Sequence, residues 1–213
     1  MFRFLLNLLF PQDALVSELE EMTGEAFLAA AARSETRVGR EIISLFDYRN
    51  ALTRRAVWGL KYRGNPRIAE LLGSILHDEL LAFLEEYGPL TNFTEPLLIP
   101  IPLSPKRLRE RGFNQCELLI DAVKRCDTGK NFSLKKSALI KVRDTPSQTK
   151  TESRAERHEN LKDCFRVENP AGVCGRNIIL IDDVATTGAT LEEARRTLRA
   201  AGARKVLAFT IAH

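Results

Sequence analysis

The chain has 213 residues, of which 44% are hydrophobic and 28% are charged, and its formal net charge is +4 at pH 7. This length accommodates one well-packed domain, or a domain with a small appendage, and the composition is typical of a soluble globular protein. The mild basic excess fits a phosphate-bearing ligand or a nucleic acid, but it is too small to require either and is also typical of a solubilising surface.

The cysteines argue against a structural zinc site and against a disulfide framework. Structural zinc normally draws closely paired ligands, and the four cysteines form no CxxC pair. Scattered cysteines in a chain with a sizeable core favour a reducing cytoplasm. The four are Cys116, Cys126, Cys164 and Cys174.

The first residues, MFRFLLNLLFPQ, contain an apolar run that Asn7 interrupts. This run is shorter than the ~20 residues that a membrane-spanning helix needs, so we expect no membrane span. An amphipathic helix that packs on the domain or contacts a partner is favoured over a cleaved signal peptide. Residues 1–46 as a whole are expected to form an N-terminal helical segment that precedes a domain over residues 47–213.

Along that domain, apolar strands alternate with amphipathic helices. Asn50 is expected to cap the first helix, and the KYRGNP turn, with Gly64, precedes the second. Residues 104–112 are expected to form a basic loop, and the almost wholly polar residues 143–160 a mobile functional loop or a disordered segment. The predicted helices cover 51–60, 66–87, 113–125 and 191–203. The predicted strands lie at 96–103, within 133–142 as one strand or a pair, and at 164–167, 177–184 and 205–213.

These strands lack a polar face, which is typical of a mostly parallel sheet that helices cover on both sides. In such a sheet ligands bind beyond the carboxyl ends of the strands. The run LIDDVATTGATL places Asp182 and Asp183 at such an end. We therefore expect the functional site there.

The residues that follow the acid pair are suited to a phosphate. The first amides of a helix have no internal partner, the helix dipole favours an anion, and Gly188 allows a close approach of the backbone. The carboxylates can accept hydrogen bonds from sugar hydroxyls or help to hold Mg²⁺, so a ribose 5-phosphate would satisfy both halves. The alternative is an acidic pair that faces water in front of a capping threonine. The expected phosphate cradle is Ala185, Thr186, Thr187, Gly188, Ala189 and Thr190.

Four segments in order carry a resemblance to a known family. LIDDVATTGAT at 180–190 resembles the phosphoribosyl-pyrophosphate (PRPP) signature of type I phosphoribosyltransferases. Three other segments resemble motifs of the ComF family: LKYRG at 60–64, IPIPLSPKRLRERGFNQCELL at 99–119 and TPSQTKTESRAERHENLKDCFRV at 145–167. The last segment matches the family pattern at Gln148, Arg157, Asn160 and Phe165.

The resemblance implies a type I phosphoribosyltransferase fold and a link to natural competence and to the uptake or processing of DNA. ComF proteins usually begin with a cysteine-rich zinc module. LLNLLFP at 5–11 resembles the lead-in to that module, but no cysteine precedes Cys116. Zinc binding is therefore not carried over to this chain.

The resemblance also implies roles for individual residues. Asp182 and Asp183 would receive the ribose hydroxyls of PRPP, with Mg²⁺ as cofactor, while cations would bind the pyrophosphate. The expected pyrophosphate cations are Lys61, Arg107 and Arg111, with Arg111 as the first choice, although a solvated basic face would look the same. The polar segment 143–160 would close over the site and supply Arg154 and Arg157 late in the reaction.

Two classes of function remain open, together with a third interpretation. The first is an enzyme that transfers a phosphoribosyl group to an unknown acceptor. The second is a non-catalytic module that senses PRPP or a nucleotide and assists DNA handling through competence proteins. The third is direct binding of single-stranded DNA along the basic loops, which would be strongly salt-dependent.

Overall fold

The computed structural model describes residues 14–34, 41–144 and 160–213. The helix expected within the first twelve residues lies outside these ranges, and so do residues 145–159 of the polar segment predicted at 143–160. Within the described ranges no helix combines the length and the apolar character that a membrane crossing requires.

The main sheet has five parallel strands: β1 Ile42–Phe46, β2 Leu97–Pro100, β3 Ser133–Leu134, β6 Asn177–Val184 and β7 Lys205–Ala212. Their order across the sheet is β1-β7-β6-β2-β3. The chain leaves β2 towards one edge of the sheet and leaves β6 towards the other, so the order reverses between these two neighbours. Such a reversal opens a crevice at the carboxyl ends of the two strands. The remaining strands, β4 Leu139–Lys141 and β5 Phe165–Val167, form a separate antiparallel pair.

Helices cover both faces of the main sheet, as predicted. Alternate residues of β6 point to opposite faces, because the side-chain period of a strand is two. The helices are α1 Ala14–Glu21, α2 Gly24–Ala30, α3 Ala51–Trp58, α4 Pro66–Thr91, α5 Pro105–Arg111, α6 Gln115–Cys126 and α7 Ala189–Ala200. Ile179 and Ile181 belong to the core beneath α4 and α6, whereas Ile178 and Leu180 belong to the core beneath α7.

The helical prediction for residues 1–46 is confirmed for α1 and α2 and wrong at its end. Residues 42–46 form edge strand β1, which pairs in parallel with β7. The run IISLF is apolar and partly β-branched, so it suits a buried strand better than a helix. Phe27 of α2 packs edge-on against Phe46 with 5.2 Å between the ring centroids, which ties α2 to this strand.

The basic loop predicted at 104–112 is mostly helical and forms α5. Ser104 caps the helix by accepting a hydrogen bond from the Arg107 amide at 3.4 Å, and Pro105 occupies the first turn. Gly112 ends it with a φ of 84°. Serine followed by proline is a helix-start signal, and the residues between Pro105 and Gly112 are good helix formers.

The end of α4 also differs from the prediction. Helix α4 does not end at Tyr87 but continues through Pro89 to Thr91, where Asn92 caps it in the left-handed region. Proline removes one amide from the last turn, and the buried Gly88 accepts a closing hydrogen bond from the Phe93 amide at 3.2 Å. Residues 133–142 split between β3 and β4, which belong to different sheets.

Candidate functional site

The acid pair lies near the carboxyl end of β6, beside the crevice. Asp182 is 8% exposed and Asp183 is 3% exposed, so neither carboxylate is a solvated surface group. The Asp183 amide donates to Asp182 Oδ1 at 2.9 Å. Burial of two adjacent carboxylates is costly unless other groups compensate, and three neighbouring side chains do so.

Of these three side chains, Lys61 comes from the turn that follows α3, and Gln115 and Cys116 come from the first turn of α6. Lys61 Nζ lies 3.3 Å from Asp183 Oδ2, and Gln115 Nε2 donates to Asp183 Oδ1 at 3.2 Å. The Cys116 thiol donates to Asp182 Oδ1 at 3.4 Å. Two distant sequence segments therefore converge on the acid pair.

The position of Gln115 and Cys116 follows from the cap of α6. Asn114 accepts a hydrogen bond from the Cys116 amide at 3.0 Å, and its own amide group donates to the Ile101 carbonyl at 3.1 Å. Ile101 directly follows β2, and its amide donates to the Ile181 carbonyl at 2.9 Å. One asparagine thus fixes the first turn of α6 against the carboxyl ends of β2 and β6.

Lys61 reaches the site from a π-helical turn, Gly59–Arg63, that follows α3. Gly64 ends the turn in the left-handed region with a φ of 59°, and a Cβ atom there would lie 2.9 Å from the Phe113 ring. Glycine is therefore required both for the backbone angle and for the close approach to Phe113. π-Helical turns are frequent at functional sites, and this one points a lysine at the acids.

A chain of polar and aromatic contacts extends outward from Asp183. Arg111 donates a hydrogen bond to Gln115 Oε1, and its guanidinium lies over the Tyr62 ring, 5.6 Å from the centroid. Tyr62 in turn contacts Trp58 at a centroid distance of 5.1 Å. Gln115 thereby links the arginine expected to bind pyrophosphate with a carboxylate expected to bind ribose.

The two carboxyl groups have opposite pKa shifts. Burial, followed by the charge of Asp183, raises the pKa of Asp182 to about 8. Burial also acts to raise the pKa of Asp183, but the Lys61 charge and the hydrogen bonds from its neighbours outweigh it and lower that pKa. The pair therefore carries a single proton at neutral pH, and Asp183 carries the negative charge.

The neighbouring groups respond to the same charges. Burial opposes the charged form of Lys61, yet the acid pair raises its pKa, so it stays an ammonium. Burial, and then the adjacent carboxylates, raise the pKa of the Cys116 thiol well above its usual value, so it stays protonated. Burial lowers the pKa of Arg111, which an arginine tolerates without losing its charge.

The turn after β6 leads directly into α7. Gly188 caps α7 with a φ of 76°, and Ala189 is buried behind it. The Ala189 amide contacts Thr187 Oγ1 at 3.5 Å, while the Ala185 amide is already bonded to the Ala212 carbonyl at 2.9 Å. The Ala185 amide is therefore already used within the sheet, and the Ala189 amide makes a long contact within its own turn.

Comparisons with known proteins identify the family. The "DNA utilization protein YhgH" of Salmonella typhi is 32% identical over 168 residues, which cover 78% of this chain and 69% of that protein. The chain belongs to the ComF family. The "Competence protein ComFC" of Bacillus subtilis is 33% identical over 173 residues, which cover 81% of this chain and 64% of that protein. The chain thus spans about two thirds of the length of these relatives.

The family model of the phosphoribosyl transferase domain matches residues 125–213, which include β6, the acid pair and α7. Together with the parallel sheet, this match gives the ComF chain the type I phosphoribosyltransferase fold. A solved structure of hypoxanthine phosphoribosyltransferase from Trypanosoma cruzi is similar, with 12% identity and a TM-score of 0.39 over 67% of this chain and 64% of that one.

The ComF segments lie at different distances from the acid pair. Lys61 and Arg111 meet it directly or through Gln115, as described above. Arg107 is half-buried on α5, and its charge acts on Arg111 to lower the pKa of that arginine. The predicted residues Gln148, Arg154 and Arg157 lie outside the described residues.

Sequence reasoning missed two side chains of the site. Gln115 and Cys116 lie within the quoted ComF segment, which by itself assigns no role to either of them. A signal for Gln115 was present, because a glutamine two residues after Phe113 falls in the first turn of a helix that starts at the crevice.

Cys116, Asp182 and Asp183 also form a candidate metal cluster, because their ligand atoms all lie within 4.8 Å of one another. The carboxylate oxygens suit Mg²⁺, whereas a thiol is a soft ligand that Mg²⁺ does not favour. Lys61 already contacts one of these oxygens. The fit of this protein donor set to Mg²⁺ is therefore poor.

Proposed function

We propose that the ComF chain binds PRPP, or a related ribose 5-phosphate compound, at the end of β6, with Mg²⁺ accompanying the pyrophosphate. One observation carries the proposal. Asp183 Oδ2 is buried, and among the described residues no donor reaches it with hydrogen-bond geometry, although Lys61 balances its charge. Lys61 compensates the charge of this oxygen, and a sugar hydroxyl would supply the directed hydrogen bond that the 3.3 Å contact lacks.

The neighbouring groups support a phosphorylated sugar rather than a neutral one. The start of α7 lies directly beyond the acid pair, and its first amides and the dipole favour the 5-phosphate. Arg111 is held between Gln115 and Tyr62, so its guanidinium is oriented before a ligand arrives. Together with Arg107 and Lys61 it would bind the pyrophosphate, which carries the most negative charge.

A transferase reaction would use the same groups. Breakage of the bond between the sugar and the pyrophosphate develops positive charge on the ribose and negative charge on the leaving group. The ionised Asp183 would stabilise the first, and Arg111 would stabilise the second. Arg154 and Arg157 stay candidates for additional cations. Release of pyrophosphate with a panel of nucleobases would separate a transferase from a sensing module.

Direct binding of single-stranded DNA is the second candidate. Helix α5 has no buried residue and carries exposed Lys106 and Arg109 beside Leu108, which is 44% exposed. Two relatives are named for competence and for DNA utilization. The affinity for an oligonucleotide should then fall steeply with salt, and an affinity that does not change with salt would argue against this candidate.

Calorimetric titration with PRPP and Mg²⁺ tests the first proposal. The ionised Asp183 is expected to contribute about 1.5–3 kcal/mol through a charge-assisted hydrogen bond, and the protonated Asp182 about 0.5–1.5 kcal/mol, so the Asp182→Asn/Asp183→Asn variant should bind about 30-fold to 2000-fold more weakly. Asp121→Asn is the matched control, since Asp121 pairs with Lys136 on the surface of α6. An unchanged affinity of the double variant would remove the acid pair from the site.

A further inference from the structure

We propose that Lys61 acts as a built-in counter-cation of the acid pair, so that Asp182 and Asp183 bind no divalent metal by themselves. Mg²⁺ then reaches the site only in complex with the pyrophosphate of the ligand. The inference rests on the proposed function for the identity of that ligand, but its test does not require the ligand.

The first argument is that charged or polar groups already contact three of the four carboxylate oxygens. Gln115 donates to Asp183 Oδ1, and the Lys61 ammonium lies 3.3 Å from Asp183 Oδ2. Asp182 Oδ1 receives both the Asp183 amide and the Cys116 thiol. A metal that bound here would have to displace at least one of these groups.

The second argument is the chemistry of the surrounding side chains. Mg²⁺ requires near-octahedral oxygen coordination at about 2.0–2.1 Å. Lys61 offers a cation, Cys116 offers sulfur, and the oxygen of Gln115 already accepts from Arg111. None of these three supplies a further oxygen, so the acids and water alone would have to complete the shell.

The third argument is that Lys61 is held in place. Its side chain is 32% exposed, and its turn is closed by hydrogen bonds from Gly64 to Leu60 and from Asn65 to Gly59. The contact between Gly64 and the Phe113 ring prevents the turn from moving towards α6. A divalent ion on Asp183 would therefore lie within a few ångströms of a fixed ammonium, where like charges repel strongly.

This arrangement gives the site a way to discriminate. Free Mg²⁺ would not compete with the ribose hydroxyls for the acids, because Lys61 already neutralises them. A hydroxyl carries no net charge, so it can approach Asp183 Oδ2 without expelling the lysine. The lysine thus adapts a pair of buried carboxylates to bind a sugar rather than a metal.

Electron paramagnetic resonance of Mn²⁺, which reports free and bound ion, tests the proposal on the full chain without PRPP. The wild type should bind Mn²⁺ no more tightly than the Asp182→Asn/Asp183→Asn variant does. Lys61→Met should gain a site at least about tenfold tighter than any in the wild type, because the acids lose their counter-cation. A Lys61→Met/Asp183→Asn variant should lose that site again.

Arg63→Met is the matched control, because it removes a cation from the same turn, and the guanidinium of Arg63 lies over the Trp58 ring, 5.7 Å from its centroid. Thermal unfolding provides a second readout, and Lys61→Gln a second variant: Mn²⁺ should raise Tm for both Lys61 variants and leave the wild type unchanged. The proposal is overturned if the wild type binds Mn²⁺ through the acid pair. It is equally overturned if folded Lys61 variants bind Mn²⁺ no better than Arg63→Met. Weak PRPP binding with the expected Mn²⁺ pattern would contradict the proposed function alone.

Discussion

Replacement of Asp182 by asparagine is expected to make the stability of the folded chain less dependent on pH. In the wild type, burial and the adjacent Asp183 raise the pKa of Asp182 from 3.8 to about 8. A carboxyl group with a raised pKa contributes stability that is fully present below pH 3.8 and is lost as the pH rises through 8. The substituted side chain would keep an acceptor for the Asp183 amide but would never ionise.

The size of the effect follows from the pH interval. Between pH 5 and pH 8 the upper limit is about 1.36 kcal/mol per pH unit, or about 4 kcal/mol in total. Because local relaxation around a buried charge reduces the free-energy cost of ionisation, we expect about half of this, about 2 kcal/mol. The pKa of Asp183 is lowered, so the stability from that group is lost only at acidic pH and does not affect this interval.

Urea unfolding at pH 5 and at pH 8.5 would measure the effect. As the pH rises, the unfolding free energy of the variant should increase relative to that of the wild type. Other titrating groups cancel in this difference, and Asp121→Asn should show no such trend. Equal pH dependence in variant and wild type would mean that Asp182 has an ordinary pKa, and the reasoning on the buried pair would then fail.

Two further predictions concern glycines. Gly73→Ala should destabilise the fold by about 1–3 kcal/mol in urea unfolding, because the new Cβ would lie 2.3 Å from the Ala122 Cβ across the contact between α4 and α6. Gly24→Ala, with its nearest atom at 3.7 Å, is the control, and an equal effect of the two would refute the packing argument. Gly188→Ala and Gly175→Ala should each cost about 1 kcal/mol of stability, because both positions have positive φ. Only Gly188→Ala should also weaken PRPP binding in calorimetry. If both variants bind PRPP with equal affinity, the turn at Gly188 does not bind the phosphate.

The local signals of the chain predicted several elements well. Asn50 caps α3, and Asn65 with Pro66 starts α4, as expected from short-range chemistry that a one-dimensional pattern contains. The apolar run at 177–184 predicted the central strand, because a strand buried on both faces has no polar alternation. The basic loop predicted at 104–112 is wrong, because the Ser104 cap and Pro105 start a helix there.

The sequence by itself determined the alternation of strands and helices, the acid pair at a strand end and the family to which the chain belongs. These features depend on neighbouring residues or on segments that can be matched in order. Only the tertiary structure decided that Lys61 and Gln115 meet Asp183, that Cys116 meets Asp182, and that residues 42–46 complete the sheet. Such contacts join residues that are far apart in the chain, and their energies arise from burial and charge pairing that no local pattern encodes.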